Sequence, residues 1–370
     1  MEGQLSYLQN LLKRSIYLPH SNRESNIELL RIFTAMGVVI LHYNYGRALQ
    51  YVDQSSLNFG VLIGLESFWI CAVDLFVLIS GYFLYGKKSV SIMKVAELLL
   101  QVSVFRVFLG LTPTIIRGDF VSLKDFFKLL LPMNYFVILY LVVYVLSPYI
   151  NTLLLNLSDL AFKRLLAVTF VLFSLLPTIN DTVQFLAEIG MEDLSTIGRE
   201  GSNYGYSLVN FMQMYLIGAY IKRTENEKKK LSSLMFKILI CWSILFVWGF
   251  FGIRAGMDIN FSYSYCNPFV IILAVYLFLF FRNMDIGNNI VVNILANGSF
   301  AVYLTHKNFL SYLHIENYAN ANVIVLVGHI LGSVIILYLV GFFAYVVYSF
   351  FLNLVEKMIP NSIKQLKIKV

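Results

Sequence analysis

The stretch NIELLRIFTAMGVVILHY, residues 26–43, opens a series of apolar segments that runs almost to the end of the chain. It contains Arg31 and His42, which are eleven residues apart, so a helix would carry both side chains on one face. Along the helix axis they would be separated by roughly 16 Å. Charged groups inside a bilayer cost about 2.5–3.5 kcal/mol on insertion scales and often mark substrate pathways or active sites. A packed histidine and an arginine that reaches the interface are the alternative explanation of this pattern.

The composition indicates that most of the chain lies in a membrane. Of its 370 residues, 58% are hydrophobic and 13% are charged, whereas soluble domains usually carry about 25% charged residues. Apolar runs near the length of a membrane-spanning helix, about 20 residues, recur along the whole sequence. We therefore predict an all-α fold, a polytopic integral membrane helical bundle with about ten transmembrane helices. The predicted crossings are residues 27–46, 59–84, 95–116, 132–151, 161–179, 205–221, 234–254, 267–282, 290–313 and 323–352.

The distribution of basic residues predicts the orientation. With both termini in the cytoplasm (N-in, C-in), most of the 28 lysines and arginines fall in cytoplasmic loops, in agreement with the positive-inside rule. This accounts for the net charge of +7 and leaves no reason to expect nucleic acid as a partner. We divide the chain into a cytoplasmic or interfacial segment over residues 1–26, a membrane domain over 27–355 and a basic cytoplasmic tail over 356–370. A polar stretch over 180–203 is either an external loop that covers a site or a simple connector.

Among the other polar side chains within predicted crossings, three are candidate site residues. Asp74 stands in the apolar run AVDLFVLISGYFL and needs a partner, either a membrane cation or a polar group on a neighbouring helix. Arg106 lies in the third crossing, and His306 lies toward the outer end of the ninth, in AVYLTHKN. Each of these groups could serve a site or could only hydrogen-bond between helices.

A group of lysines is predicted at the cytoplasmic end of the third crossing. Lys87, Lys88 and Lys94 could attract phosphate groups there, and they also satisfy the positive-inside rule. The sequence has no metal-binding motif, and its three cysteines form no CxxC pair. It also lacks a P-loop, a GxGxxG fingerprint and a GxSxG nucleophile elbow. We therefore predict no metal site.

Two of these segments together carry a family resemblance. Residues 26–43, followed by VDLFVLISGYFLYGKK at 73–88, resemble the opening of the membrane acyltransferase-3 family, and most closely its branch that O-acetylates bacterial surface polysaccharides. The spacing of Arg31 and His42 matches the motif on the family's first helix. Later segments are similar to its fourth, eighth and ninth crossings: NYFVILYLVVYVLSPYIN, NPFVIILAVYLFLFF and NILANGSFAVYLTHKN.

The resemblance implies a function and a place for several residues. Members of this family take an acyl group, commonly acetyl, from cytoplasmic acyl-CoA and deliver it to a sugar hydroxyl of a surface or lipid-linked glycan. The implied location is a bacterial plasma membrane. His42 corresponds to the essential histidine, and Arg31 would meet the CoA donor. Many members carry an Arg-x-Arg pair early on the third helix, whereas this chain has SVSIMKVAELL with Lys94 as its only cation.

Acyl transfer to a hydroxyl needs a base and a group that stabilises the tetrahedral oxyanion. We predict His42 as the base and Asp74 as the group that orients it. Arg31, Lys87, Lys88 and Lys94 are predicted to bind acetyl-CoA. Arg106 and His306 are predicted to bind the acceptor, and His306 is a second base candidate.

Two other functions are compatible with such a bundle. A polysaccharide or glycolipid transporter or flippase would also have many crossings and buried charges, but corresponding halves of this chain lack paired half-length segments broken by Gly or Pro. A non-catalytic scaffold or sensor is the other alternative, and the missing Arg-x-Arg pair keeps it open. Consumption of a CoA thioester would separate the enzyme from both.

Overall fold

The structure is a computed structural model that describes residues 23–117, 121–188, 203–224 and 228–369. Most of the predicted N-terminal segment and most of the predicted external loop lie outside these ranges. Helices account for 80% of the structure.

The helices are numbered in chain order. They are α1 (Ser25–Tyr43), α2 (Leu49–Tyr51), α3 (Leu57–Trp69), α4 (Ala72–Leu84), α5 (Ile92–Arg117), α6 (Leu123–Leu130), α7 (Tyr135–Asn156), α8 (Asp159–Phe170), α9 (Leu176–Ala187), α10 (Leu208–Arg223), α11 (Leu231–Arg254), α12 (Ile259–Ser262), α13 (Pro268–Asn283), α14 (Ile290–Ala296), α15 (Ser299–Leu310), α16 (Val323–Glu356) and α17 (Asn361–Lys364). Two strands, β1 (Ser89–Ser91) and β2 (Lys367–Lys369), pair antiparallel.

The helices confirm the prediction of an all-α polytopic membrane bundle. In the described part of the chain, seven stretches are long and apolar enough to span a bilayer: Ser25–Tyr51, Leu57–Leu84, Ile92–Thr114, Tyr135–Asn156, Asp159–Ala187, Leu231–Arg254 and Val323–Val355. The other three predicted crossings coincide with shorter helices, which are α10, α13 and the interrupted pair α14 and α15. At 1.5 Å per residue, a helix of 16 residues is only about 24 Å long, less than the roughly 30 Å of hydrocarbon.

The beginning and the end of the described chain lie at one face of the bundle. The Arg31 guanidinium is 5.7 Å from the centroid of the Phe83 ring, so the start of α1 lies beside the end of α4. Val90 of β1 pairs with Ile368 of β2, which brings the C-terminal strand to the same region. Two ends on one face agree with an even number of crossings. The cytoplasmic location of this face stays a prediction.

A kink at the C-terminal end of α1 helps to shape the site described below. Tyr45 has an extended ψ of 126° and Gly46 a left-handed φ of 68°, so the helix is interrupted there. Asn44, just before the kink, is fully buried. Its amide donates to the Leu62 carbonyl at 2.9 Å and to Glu66 Oε2 at 3.1 Å. These bonds tie the end of α1 to α3.

Helices α4 and α10 pack closely against each other. A Cβ atom on Gly81 would stand 2.3 Å from the Tyr215 carbonyl oxygen, and one on Gly218 would stand 2.2 Å from the Leu78 carbonyl oxygen. The two backbones therefore approach each other closely, as small residues permit in membrane helix pairs. This contact carries Asp74 of α4 and Asn210 of α10 into the buried centre of the bundle.

Candidate active site

Two histidines from distant parts of the sequence meet inside the bundle. The rings of His42 on α1 and His306 on α15 are stacked, with centroids 5.0 Å apart and planes 25° apart. His306 is 1% exposed, whereas His42 is partly accessible and lines a cavity. The two residues lie on different predicted crossings, and the structure brings their rings into contact.

The hydrogen bonding of His306 defines its tautomer. Its Nδ1 lies 3.0 Å from the backbone carbonyl oxygen of Val302. A carbonyl can only accept, so Nδ1 carries the proton, and in the neutral ring Nε2 has a free lone pair. Nε2 is buried and has no hydrogen-bond partner within the described residues. The ring therefore offers an unused acceptor next to His42.

A cavity of about 130 Å³ lies on the His42 side of the pair. We call it the tyrosine cavity because seven tyrosines line it. These are Tyr45, Tyr135, Tyr204, Tyr206, Tyr263, Tyr265 and Tyr303. His42, Glu66, Asn260 and Lys307 also line it. Several of these residues lie outside the helices, between α9 and α10 or between α11 and α13.

Contacts among the tyrosines fix their positions. The Tyr206 and Tyr265 hydroxyls are hydrogen-bonded at 3.0 Å, and their rings meet edge to face at 4.5 Å. The Tyr263 hydroxyl is 2.8 Å from Ser67 Oγ on α3. Burial and the neighbouring Tyr206 raise the pKa of Tyr265 well above its usual value, so this hydroxyl stays protonated. The cavity thus presents ordered aromatic faces together with neutral hydroxyl groups.

A second cavity, of about 330 Å³, lies on the His306 side of the pair. We call it the arginine cavity, after Arg106. His306 and Asn134 also line it, while Tyr303 and Lys307 line both cavities. The histidine pair therefore stands between two cavities that share part of their walls.

Backbone carbonyls hold Arg106 in place. Its Nη1 donates to the Met133 carbonyl at 2.7 Å, and its Nη2 donates to the Lys128 carbonyl at 3.2 Å. Nε is buried and has no hydrogen-bond partner within the described ranges, and no carboxylate there forms an ion pair with the guanidinium. Arg106 is thus a membrane cation whose charge the described chain does not balance. Arg106 and His306, both predicted to bind the acceptor, line this cavity, and that role stays a prediction.

The span from α1 to α16 matches a known protein family. The sequence model of acyltransferase family 3, described as an acyltransferase domain, matches residues 24–357. The chain belongs to this family. It is therefore a membrane acyltransferase, and its apolar helices make it a multi-pass membrane protein. Neither a search of curated proteins nor a search of solved structures finds a match.

In the acyltransferase, the described residues show no hydrogen bond between Asp74 and His42, the side chain that Asp74 was predicted to orient. Asp74 is 1% exposed, and its Oδ1 accepts a hydrogen bond from the Asn210 amide at 3.0 Å. Asp74 is on α4, which packs closely on α10, and this packing provides the amide partner. A role for Asp74 in acyl transfer stays a prediction.

The residues predicted to bind the donor lie at the face where both chain ends meet. Arg31 forms an ion pair with Glu28 at 3.1 Å, and Lys94 forms one with Glu97 at 3.4 Å. Lys87 and Lys88 are exposed just after α4. Their role toward acetyl-CoA stays a prediction. The β1–β2 pairing brings Lys367 and Lys369 to the same region, which sequence reasoning missed because pairing partners of so short a strand have no local signal.

Glu66 is a further site residue of the acyltransferase to which the sequence analysis gave no role. It is 3% exposed, lies on α3 and lines the tyrosine cavity together with His42. A carboxylate in the apolar run around residues 59–84 was the available signal, since such groups are costly in a membrane. Within the described ranges, no group of three or more His, Cys, Asp or Glu side chains could hold a metal ion.

Proposed function

We propose that the protein is an O-acetyltransferase of a bacterial plasma membrane. It transfers acetyl from cytoplasmic acetyl-CoA to a hydroxyl of a cell-surface or lipid-linked glycan. The observation that carries the proposal is the accessible His42 ring at the wall of a cavity lined by tyrosines. A sugar has an apolar C–H face and a rim of hydroxyls, and tyrosine offers both an aromatic face and a hydroxyl.

The proposed reaction is a direct acyl transfer. Neutral His42 accepts the proton of the sugar hydroxyl as the hydroxyl oxygen attacks the thioester carbonyl carbon. The tetrahedral intermediate collapses when the C–S bond breaks, and the imidazolium returns the proton to the leaving CoA thiolate. The products are the sugar ester and free CoA. Protonated tyrosine hydroxyls such as Tyr265 are the available donors to the oxyanion.

The donor is proposed to enter from the face that carries Arg31. The phosphates of acetyl-CoA would lie near Arg31, Lys87, Lys88 and Lys94, and the pantetheine arm would extend inward. Arg31 and His42 are roughly 16 Å apart along α1, which suits a thread-like arm. Lysines offer point charges and do not form the bidentate phosphate contacts of an Arg-x-Arg pair.

The proposal predicts CoA release that depends on a sugar acceptor. We expect purified protein in nanodiscs to release free thiol from acetyl-CoA when p-nitrophenyl glycosides of common surface sugars are supplied. Tyr206→Ala should raise the acceptor KM about tenfold, because an aromatic wall is lost, and should leave the KM for acetyl-CoA unchanged. A thiol assay and mass spectrometry of the sugar ester measure both.

Tyr312→Ala is the matched control, since Tyr312 is 65% exposed and lies outside the tyrosine cavity. It should behave as wild type. If folded wild-type protein releases no CoA with any sugar or any short acyl-CoA, the proposed reaction is wrong. If Tyr206→Ala and Tyr312→Ala have the same acceptor KM, the tyrosine cavity does not bind the sugar.

The stacked pair predicts that His306 supports His42. We expect His306→Phe, which keeps a flat ring but removes Nε2 and the bond to Val302, to lower kcat by about tenfold or more. His306→Gln, which keeps polar atoms, should lose less. The pH dependence of kcat distinguishes a positioning role from simple packing, because only the former shifts the profile of His42. An unchanged kcat and profile in folded His306→Phe would exclude this role.

A further inference from the structure

A long apolar groove opens toward the lipid between α5, α15 and α16. Its volume is about 570 Å³, within the range of roughly 300–1,000 Å³ that ligand pockets commonly have. Its walls are almost wholly apolar, with Phe108, Phe343 and Phe351 among them. Thr305 is one of the few polar residues on the wall, and its hydroxyl donates a hydrogen bond to the Ala301 carbonyl at 2.9 Å. We call this feature the alkyl groove.

The alkyl groove adjoins the arginine cavity. Phe105 and Leu109 of α5 line both, and Thr305, on the groove wall, directly precedes His306, on the cavity wall. Phe105 packs against Tyr348 of α16 with ring centroids 5.8 Å apart, so it stands where the two spaces meet. A chain bound in the groove would therefore lie next to the arginine cavity.

The groove is long enough to hold an extended alkyl chain. On α5 its lining residues run from Leu109 to Leu100, and on α16 they run from Val340 to Val355. At 1.5 Å per residue these spans are about 14 Å and about 22 Å. The groove thus leads from the level of Arg106 along the helices toward the face that carries both chain ends.

Charge indicates which chemical group would bind at the Arg106 end of the groove. Arg106 makes hydrogen bonds to two neutral carbonyls, and no carboxylate within the described ranges balances its charge. Lys307 adds a second cation to the same cavity. Two cations beside a membrane groove favour an anion there, because an unbalanced charge in a low-dielectric environment is costly. A phosphate with an alkyl chain satisfies both features.

We propose that the acceptor is a phospholipid-linked sugar, in which a phosphate joins an alkyl chain to the glycan. The chain lies in the alkyl groove, the phosphate lies against Arg106 and Lys307, and the sugar passes Tyr303 to reach His42. Tyr303 and Lys307 line both cavities, so the two cavities lie side by side along this path. This inference rests on the proposed transferase function and names its substrate class.

The test uses a probe that binds without any reaction. Dodecyl N-acetylglucosaminyl phosphate with a diazirine on its alkyl chain is incubated with the full chain in nanodiscs and photolysed. We expect label on peptides of α5 and α16 that contain Phe105 and Val347. Unlabelled dodecyl N-acetylglucosaminyl phosphate should displace the label at concentrations about tenfold lower than neutral dodecyl glucoside, because the phosphate adds charge-assisted hydrogen bonds.

Two pairs of variants separate the groove from the charge. Ala344→Phe fills the groove and should lower labelling about tenfold, whereas Ile335→Phe, at a lipid-facing position of α16 outside the groove, should not. Arg106→Gln should also lower labelling about tenfold, and Arg106→Lys should retain most of it. Arg117→Gln, an exposed position on the same helix, is the matched control.

The inference would be overturned if dodecyl glucoside displaced the label as well as the sugar phosphate does. It would also be overturned if folded Arg106→Gln were labelled as strongly as wild type. In either case ordinary membrane lipid would be the occupant of the groove. The wild-type competition decides the question even if a variant does not fold. The labelling experiment contains no acetyl-CoA, so it tests binding of the lipid-linked sugar separately from acyl transfer. Specific labelling without CoA release would reject the transferase function, and CoA release without specific labelling would reject the lipid-linked acceptor.

Discussion

His42→Ala should lower the kcat of acceptor-dependent acyl transfer by about 10²–10⁴-fold, the usual contribution of a general base. His42 lines the tyrosine cavity and stacks on His306, so it is the imidazole that a bound sugar can reach. His42→Gln should lose as much, because glutamine can donate and accept hydrogen bonds but cannot take up a proton at neutral pH. The acceptor KM should change little, since the base acts mainly in the transition state. Free CoA release with and without acceptor measures both constants.

His314→Asn is the control for this experiment. The His314 side chain is 70% exposed, and its backbone has a positive φ of 45°, which asparagine tolerates well. This variant should keep wild-type activity. Added imidazole should restore part of the rate of His42→Ala, because the tyrosine cavity opens beside the deleted ring. Full acyl transfer by folded His42→Ala or His42→Gln would show that another group is the base.

Gly218→Ala should reduce the stability of the bundle by about 1–3 kcal/mol, the usual cost of adding a methyl group to a packed contact. The new Cβ would lie 2.2 Å from a backbone carbonyl of α4, which cannot move aside like a flexible side chain. Gly81→Ala meets the backbone of α10 in the same way, and the double variant should be less stable than either single variant. Unfolding by sodium dodecyl sulfate in mixed micelles, followed by tryptophan fluorescence, measures the change.

Gly328→Ala, in contrast, should not reduce the stability of the bundle. Gly328 lies in α16, and a Cβ there meets nothing within 4 Å. Since alanine is favoured over glycine inside helices by up to about 1 kcal/mol, this variant should be as stable as wild type or slightly more stable. Equal stability of Gly218→Ala and Gly328→Ala would mean that α4 and α10 are not in close contact. Displacement of α10 would also disturb the Asp74–Asn210 bond.

The sequence predicted the class of fold because membrane insertion imposes a local rule. Each crossing must be a long apolar helix, so the runs near 27–46 and 323–352 are recognisable without their neighbours. The structure confirms this class through α1, α16 and the other spanning stretches. It also has shorter helices, such as α10 and α13, where the apolar runs predicted ordinary crossings. The length of a helix is therefore less predictable from the sequence than its position along the chain. A helix too short to span the bilayer by itself is covered by its neighbours in the bundle.

The sequence by itself determined that the chain is helical, that it belongs in a membrane and that Arg31 and His42 share one helix, because hydropathy and helical periodicity are local properties. Only the tertiary structure decided that His42 meets His306 and that Asp74 bonds to Asn210. It also assembled the tyrosine cavity and placed the alkyl groove beside the arginine cavity. These contacts depend on which helix faces pack together, and that choice is made by side chains more than a hundred residues apart in the sequence.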